Sequence, residues 1–123
     1  MGTDLHRSII SFFEARLRDH AKVESFHRLP HPDEVLYEVK RRGLDPLAVH
    51  LSDAYRYTQV DFDARPSELR KSGFILIAKP EGSYNVDLVT DARERGIGLG
   101  QIGKLLGAIN RRDYWRYEPP KRN

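Results

Sequence analysis

Cysteine is absent from the 123 residues of this chain, which excludes disulfides, thiolate metal sites and cysteine nucleophiles. Long apolar runs are missing too: nothing approaches the roughly 18 consecutive residues of a membrane span. Near the N-terminus, Leu5-His6-Arg7-Ser8-Ile9-Ile10 is amphipathic and no small-residue cleavage site follows, unlike a secretory signal. There are no internal repeats and no low-complexity segment ahead of a short basic tail. These absences set the expectation of a cytoplasmic protein with no membrane partner.

What is present suits one globular domain. Hydrophobic residues make up 39% and charged residues 32% of the sequence, and a chain of this length buries one core rather than two. Residues 1–117 are expected to form a single α/β domain, with 118–123 a basic, proline-containing tail. The net charge is +3, and the cations come in steps: Lys40-Arg41-Arg42, Arg70-Lys71, Arg111-Arg112 and Lys121-Arg122. Such steps at element ends admit a polyanion partner, because phosphate neutralisation is the main source of non-specific nucleic-acid affinity.

The most regular stretch alternates with period two. Val35, Tyr37 and Val39 fall on one face of a first arm, and Leu47, Val49 and Leu51 on one face of a second. Gly43 and Asp45-Pro46 mark the connection, so the spacing predicts a β-hairpin with a loop of several residues that carries Arg41 and Arg42. Upstream, Thr3 is placed to cap a helix reaching about His20, with Leu5, Ile9, Phe12, Phe13 and Leu17 as its apolar stripe. Lys22 to Arg28 reads as a modest strand. Ala54 to Ala64 reads either as a third extended segment or as a loose helical turn.

Arg65 to Lys71 predicts a short helix with proline in its first turn, stopped by Gly73. Phe74-Ile75-Leu76-Ile77-Ala78 is apolar throughout and predicts a strand buried on both faces near the middle of the sheet. Asn85 caps a helix through Arg95, with Val86, Leu88, Val89 and Ala92 inward and Gly96 as its stop. Ile97–Gly100 reads as a brief strand, and Ile102, Leu105, Leu106 and Ile109 line a last helix. The fold class that results is α/β: a mixed sheet with a central hairpin and helices on both faces.

Two fragments on the first hairpin arm, Pro32-Asp33 and Glu38-Val39-Lys40, together with this element order, resemble the PD-(D/E)xK nuclease superfamily, whose fold is restriction-endonuclease-like. The resemblance implies an acidic residue on one strand and an acid-x-lysine on the next, holding a divalent metal and an attacking water. An early helix adds a glutamate. Hard oxygen ligands suit magnesium, and a cation is needed beside the scissile phosphate.

Two alignments are open. With Asp33 as first acid, the second motif falls on His50-Leu51-Ser52, where carboxylate and lysine are both missing. With Glu38 and Lys40 as second motif, the first acid is Glu24, so that Glu24 and Glu38 are the metal ligands. Asp33 and Glu38 do not serve together from one strand, because five residues span roughly 17 Å and odd spacing puts them on opposite faces. Glu14 supplies the helical glutamate in either alignment.

Gly98-Leu99-Gly100-Gln101-Ile102-Gly103-Lys104 spells GxGxxG with a following lysine, but Leu105 stands where a Walker motif needs Ser or Thr. Tight strand-to-helix packing is the preferred reading. The histidines show no metal-binding spacing, and Asp53, Asp61 and Asp63 read equally well as an acidic cluster or as turn residues and helix caps.

Three functions remain open. The first is a nuclease-like fold that has lost its metal site, needs no cofactor and binds nucleic acid weakly and without sequence preference, alone or as a homodimer or larger complex. Its contacts would be Lys40, Arg41, Arg42, Arg70, Lys71, Arg111 and Arg112. The second is an active Mg²⁺-dependent DNA endonuclease. The third is a protein-interaction subunit with no nucleic-acid role.

Overall fold

The first helix, α1, spans Arg7–Arg18 and is capped by His6, whose Nδ1 accepts the Ser8 N–H. In the computed structural model, residues 5–120 are described, so Thr3 and the Lys121-Arg122 step lie outside the described residues. Leu5, Phe13 and Leu17 face the sheet, while Phe12 is exposed. Successive helical residues point about 100° apart, so Phe12 and Phe13 do not share one apolar face.

Three antiparallel strands follow in order: β1 (Val23–Leu29), β2 (Val35–Arg41) and β3 (Leu44–Ser52). The hairpin is tighter than its sequence implies. Arg41 is the last residue of β2, and only Arg42 and Gly43 separate the strands. Gly43 adopts φ +73, the left-handed region that lets a short connection reverse. Asp45 and Pro46 lie inside β3, where the register shifts between the Val39–Leu47 and Arg41–Leu44 pairs. A proline with no N–H to give is accommodated at such an irregularity.

The chain then forms the two-residue strand β4 (Arg56–Tyr57) and the short helix α2 (Gln59–Asp63), which replace the continuous extended segment that is one reading of 54–64. Asp61 caps α2 by accepting the Thr58 N–H at 2.8 Å. In place of a helix over 65–71 there is a 3-10 turn at Ser67–Leu69, preceded by Pro66. Strand β5 (Gly73–Ile77) is buried at every residue, and Gly73 opens it instead of stopping a helix.

After β6 (Ser83–Tyr84), which pairs with β4, comes α3 (Val86–Glu94), capped by Asn85 and followed by Gly96 at φ +78. Leu88 and Ala92 of α3 are inward, while Val86 is exposed. Strand β7 (Ile97–Gly100) and helix α4 (Ile102–Ala108) complete the α/β core.

The main sheet has the order β1-β2-β3-β5-β7, with β5 parallel to both β3 and β7. Its middle strand is β3; the fully apolar β5 is interior, between β3 and β7. One face carries Val35, Tyr37, Val39, Leu47, Val49, Leu51, Phe74 and Leu76, packed under α1 and α4. The other carries Leu36, Ile75, Ile77 and Leu99 under α2 and α3, with Tyr57, Phe62 and Leu69. The architecture is therefore a small α/β domain, a mixed five-stranded sheet with helices on both faces. Among the described residues no helix is long and apolar enough to cross a membrane.

The last segment closes the sheet. Tyr114, in a 3-10 turn at Tyr114–Arg116, accepts the Gly73 N–H at 2.8 Å and donates to the Gly96 carbonyl at 3.1 Å. One phenol thus ties together the starts of β5 and β7. Trp115 packs edge-on to it, with ring centroids 5.0 Å apart.

Candidate functional site

Strand directions divide the molecule into two ends. At the head lie the ends of β1, β3, β5 and β7 and the start of β2. At the foot lie the β2–β3 turn, the starts of β5 and β7, and the end of α4.

At the head, His31 organises the entry to β2: its Nδ1 accepts the N–H groups of Asp33 and Glu34, at 3.1 and 3.0 Å. Leu36 pairs with His50 across the hairpin, so Glu34, Leu36, His50 and Ser52 share one sheet face. His50 Nε2–H donates to a Glu34 carboxylate oxygen at 2.7 Å. His50 is only 6% exposed, and burial pushes its pKa below the ordinary imidazole value despite the opposing pull of Glu34. The ring is therefore held neutral near pH 7. Its Nδ1 is buried with no hydrogen-bond partner among the described residues, as is the Tyr57 hydroxyl nearby on the same face. Burial raises the Tyr57 pKa, so the phenol stays protonated. Ser52 Oγ accepts the Ala54 N–H at 3.2 Å. This corner joins β2 to β3 through polar contacts, with the Asp53 carboxylate also acting on His50.

The candidate catalytic residues do not converge. Glu14 lies on the α1 side, where it accepts from the Tyr37 hydroxyl and, at 3.2 Å, from Arg18. Burial and then the Glu14 contact raise the Tyr37 pKa. Glu38 follows Tyr37 in the strand and so points to the opposite face, 3.8 Å from His27. Glu24 is exposed in the bulge between the Val23–Arg41 and Ser25–Lys40 pairs, beside Lys40 and not beside Glu38. Asp33 is exposed in the turn before β2, and its neighbour Glu34 is the carboxylate that reaches His50.

The magnesium implied by the nuclease resemblance does not fit this donor set. Glu14 is across the sheet from Glu38, and His50 stands in the hairpin where a second carboxylate is required. Among the described residues no three His, Asp or Glu side chains are grouped to hold a metal ion.

Nor does the glycine-rich stretch cradle a phosphate as a nucleotide loop would. Only Gln101 separates β7 from α4, leaving no loop. A Cβ at Gly98 would come within 2.4 Å of the Phe74 ring, and one at Gly100 within 2.6 Å of the Lys104 stem. Close packing explains both glycines.

At the foot the cations gather. Lys40 precedes the β2–β3 turn and Arg42 lies in it, Arg70 and Lys71 lead into β5, and Arg111 and Arg112 follow α4; all six are exposed. Arg111 is engaged with Asp113 through both carboxylate oxygens, at 3.0 and 3.2 Å, which holds the Asp113 pKa below the usual carboxylate range. Arg95, at the turn from α3 into β7, joins this end; its signal in sequence is a basic residue just before a strand-opening glycine.

Arg41 does not belong with them. It is 5% exposed, and its guanidinium donates to the carbonyls of Asp45 (2.8 Å), Ile109 (3.2 Å) and Arg111 (2.7 Å). It caps the C-terminal end of α4 instead of reaching a phosphate.

No protein-family model, curated protein or solved structure is significantly similar to this chain.

Proposed function

We propose that this domain has a nuclease-like sheet without a metal site and works as a nucleic-acid-binding or complex-organising module. Support comes from the order of elements: a helix, an antiparallel three-stranded meander, then parallel strands added beyond β3. That order agrees with the resemblance carried by Pro32-Asp33 and Glu38-Val39-Lys40. The observation that carries the reading is a separation. The hairpin corner is closed by Glu34 and a neutral His50, while the exposed cations concentrate at the other end of the sheet.

Cations spread over several connections contact phosphates without reading bases, so the affinity is non-specific and strongly salt-dependent. The test is incubation of supercoiled DNA and of single-stranded DNA and RNA with the protein in Mg²⁺ or Mn²⁺. Binding without cleavage is the expected result. Cleavage that disappears on Glu24→Gln or Glu38→Gln would instead establish the active-nuclease alternative.

A subunit working through protein contacts alone is the second reading. It is favoured by the exposed Phe12 beside a hollow of about 480 Å³ lined by Ile9, Ala78, Pro80 and Ile102. Absence of nucleic-acid binding at low salt would put it in front.

A further inference from the structure

Strand β7 is one edge of the sheet, and the last turn among the described residues packs against it. The Tyr114–Arg116 turn packs against β7, α3 and α4. Tyr117 then lies on Gly107, where a Cβ would come within 2.3 Å of the ring. This seating delivers Glu118 to a hollow between α3 and α4 lined by Thr90, Arg93, Gln101, Gly103, Lys104 and Tyr117. The Glu118 carboxylate is paired with Arg93 of α3 and lies 3.8 Å from the Lys104 ammonium of α4.

The two cations stand on helices of the core, Lys104 almost fully buried and Arg93 36% exposed. Lys104 is 9% exposed, its stem lying across Gly100, the residue whose missing side chain makes room for it. Arg93 Nε is buried with no hydrogen-bond partner among the described residues. Glu118, by contrast, is 55% exposed on a terminal segment. One half-exposed carboxylate faces two cations, so a positive charge is left over and a donor is left unused. A phosphate group carries up to two negative charges and three acceptor oxygens, which match that surplus. Gly103 keeps the hollow open: nothing lies within 4 Å of where its Cβ would be.

We propose that the Arg93–Lys104 hollow is a binding site for a phosphate group, and that Glu118 occupies it in the unliganded chain. The site lies at the β7 edge, apart from the foot of the sheet, and does not depend on the nucleic-acid reading. It also gives the Gly98–Lys104 stretch a role that its failure as a nucleotide loop leaves open.

The test is calorimetric titration of the full chain with inorganic phosphate, ribose 5-phosphate and a nucleoside 5′-monophosphate, with the unphosphorylated nucleoside as control. Glu118→Gln is expected to tighten phosphate binding about three- to fivefold by removing an exposed competitor. Lys104→Met, which keeps the packed stem, and Arg93→Gln are each expected to weaken it about tenfold or more. Tighter binding of the esters than of inorganic phosphate assigns the site to a phosphorylated metabolite or nucleotide; equal binding assigns it to the free anion. If Lys104→Met melts early, Arg93→Gln carries the test. Failure of the Glu118→Gln protein to bind any of the phosphates, or binding unchanged by all three substitutions, would overturn the proposal.

Discussion

At the head of the sheet, His50 and Glu34 satisfy each other in a half-closed corner; at the foot, Arg42, Arg70, Lys71 and Arg112 stand in solvent around three connections. Both ends are rich in charged residues, yet they do opposite things with them. Burial decides which. At the head, desolvation pushes the imidazole toward neutrality and leaves one hydrogen-bonded pair; at the foot the cations are exposed to water, with Arg42 donating to the Ala21 carbonyl at 3.2 Å and Arg111 held by Asp113. The adjacent residues Arg41 and Arg42 show the same division over a single step: the first is buried on three carbonyls, and the second is exposed in the turn. A basic step in sequence is thus one structural cation and one surface cation.

The sharpest way to break this distinction is Arg41→Met. It leaves the carbonyls of Asp45, Ile109 and Arg111 without their donor, and a loss of about 2–4 kcal/mol is expected in urea denaturation. Nucleic-acid affinity per folded molecule is expected to change little. Next in size is Tyr114→Phe, which removes the acceptor for the Gly73 N–H and the donor to the Gly96 carbonyl. Its expected cost is about 1–3 kcal/mol, read from the same denaturation curves.

A smaller effect probes the head. The folded-state pKa of His50 lies below its ordinary value of 6.5, so below that pH the unfolded chain binds the proton first. Stability is therefore expected to be level from about one pH unit above 6.5 as far as this group is concerned, and to fall as pH drops through 6.5 towards the folded pKa. His50→Gln, which can still donate to Glu34, is expected to flatten this acid limb by up to one proton in the slope of stability against pH. An unchanged limb would mean that His50 charges as readily in the fold as outside it.

The smallest stability effect belongs to the foot. Replacing Arg42, Arg70, Lys71 and Arg112 with alanine is expected to shift stability by less than about 0.5 kcal/mol per site, because none of these exposed side chains closes the core.

Much of the architecture is legible in the sequence where local signals and tertiary demands agree. The Asn85 cap, the Gly96 stop, the β7 strand and the apolar β5 run all emerge close to their expected bounds. Local signals mislead where long-range packing overrides them. Arg41 resembles a loop residue until the end of α4, some 70 positions on, is seen to need donors. Pro46 resembles a turn residue until the register shift inside β3 takes it in. Val86 and Phe12 are apolar residues within helices, but each points away from the buried residues of its helix and stays exposed. In the site, parity along β2 already separates Asp33 from Glu38. The union of Glu34 with His50 depends on hairpin register, which the Arg41–Pro46 spacing leaves loose. The pairing of Glu118 with Arg93 and Lys104 has no local signal at all, since it joins a terminal segment to two helices.

Affinity for nucleic acid is expected to reside at the foot and not at the head. The most direct test is fluorescence anisotropy with two unrelated oligonucleotides across a salt series, comparing the unaltered protein, the four-alanine foot variant and His50→Gln. The expected result is equal weakening on both oligonucleotides for the foot variant, with the salt slope reduced by roughly one for each phosphate no longer neutralised, and no change for His50→Gln. A foot variant that keeps the full salt slope, or a protein that binds neither oligonucleotide at low salt, would contradict it.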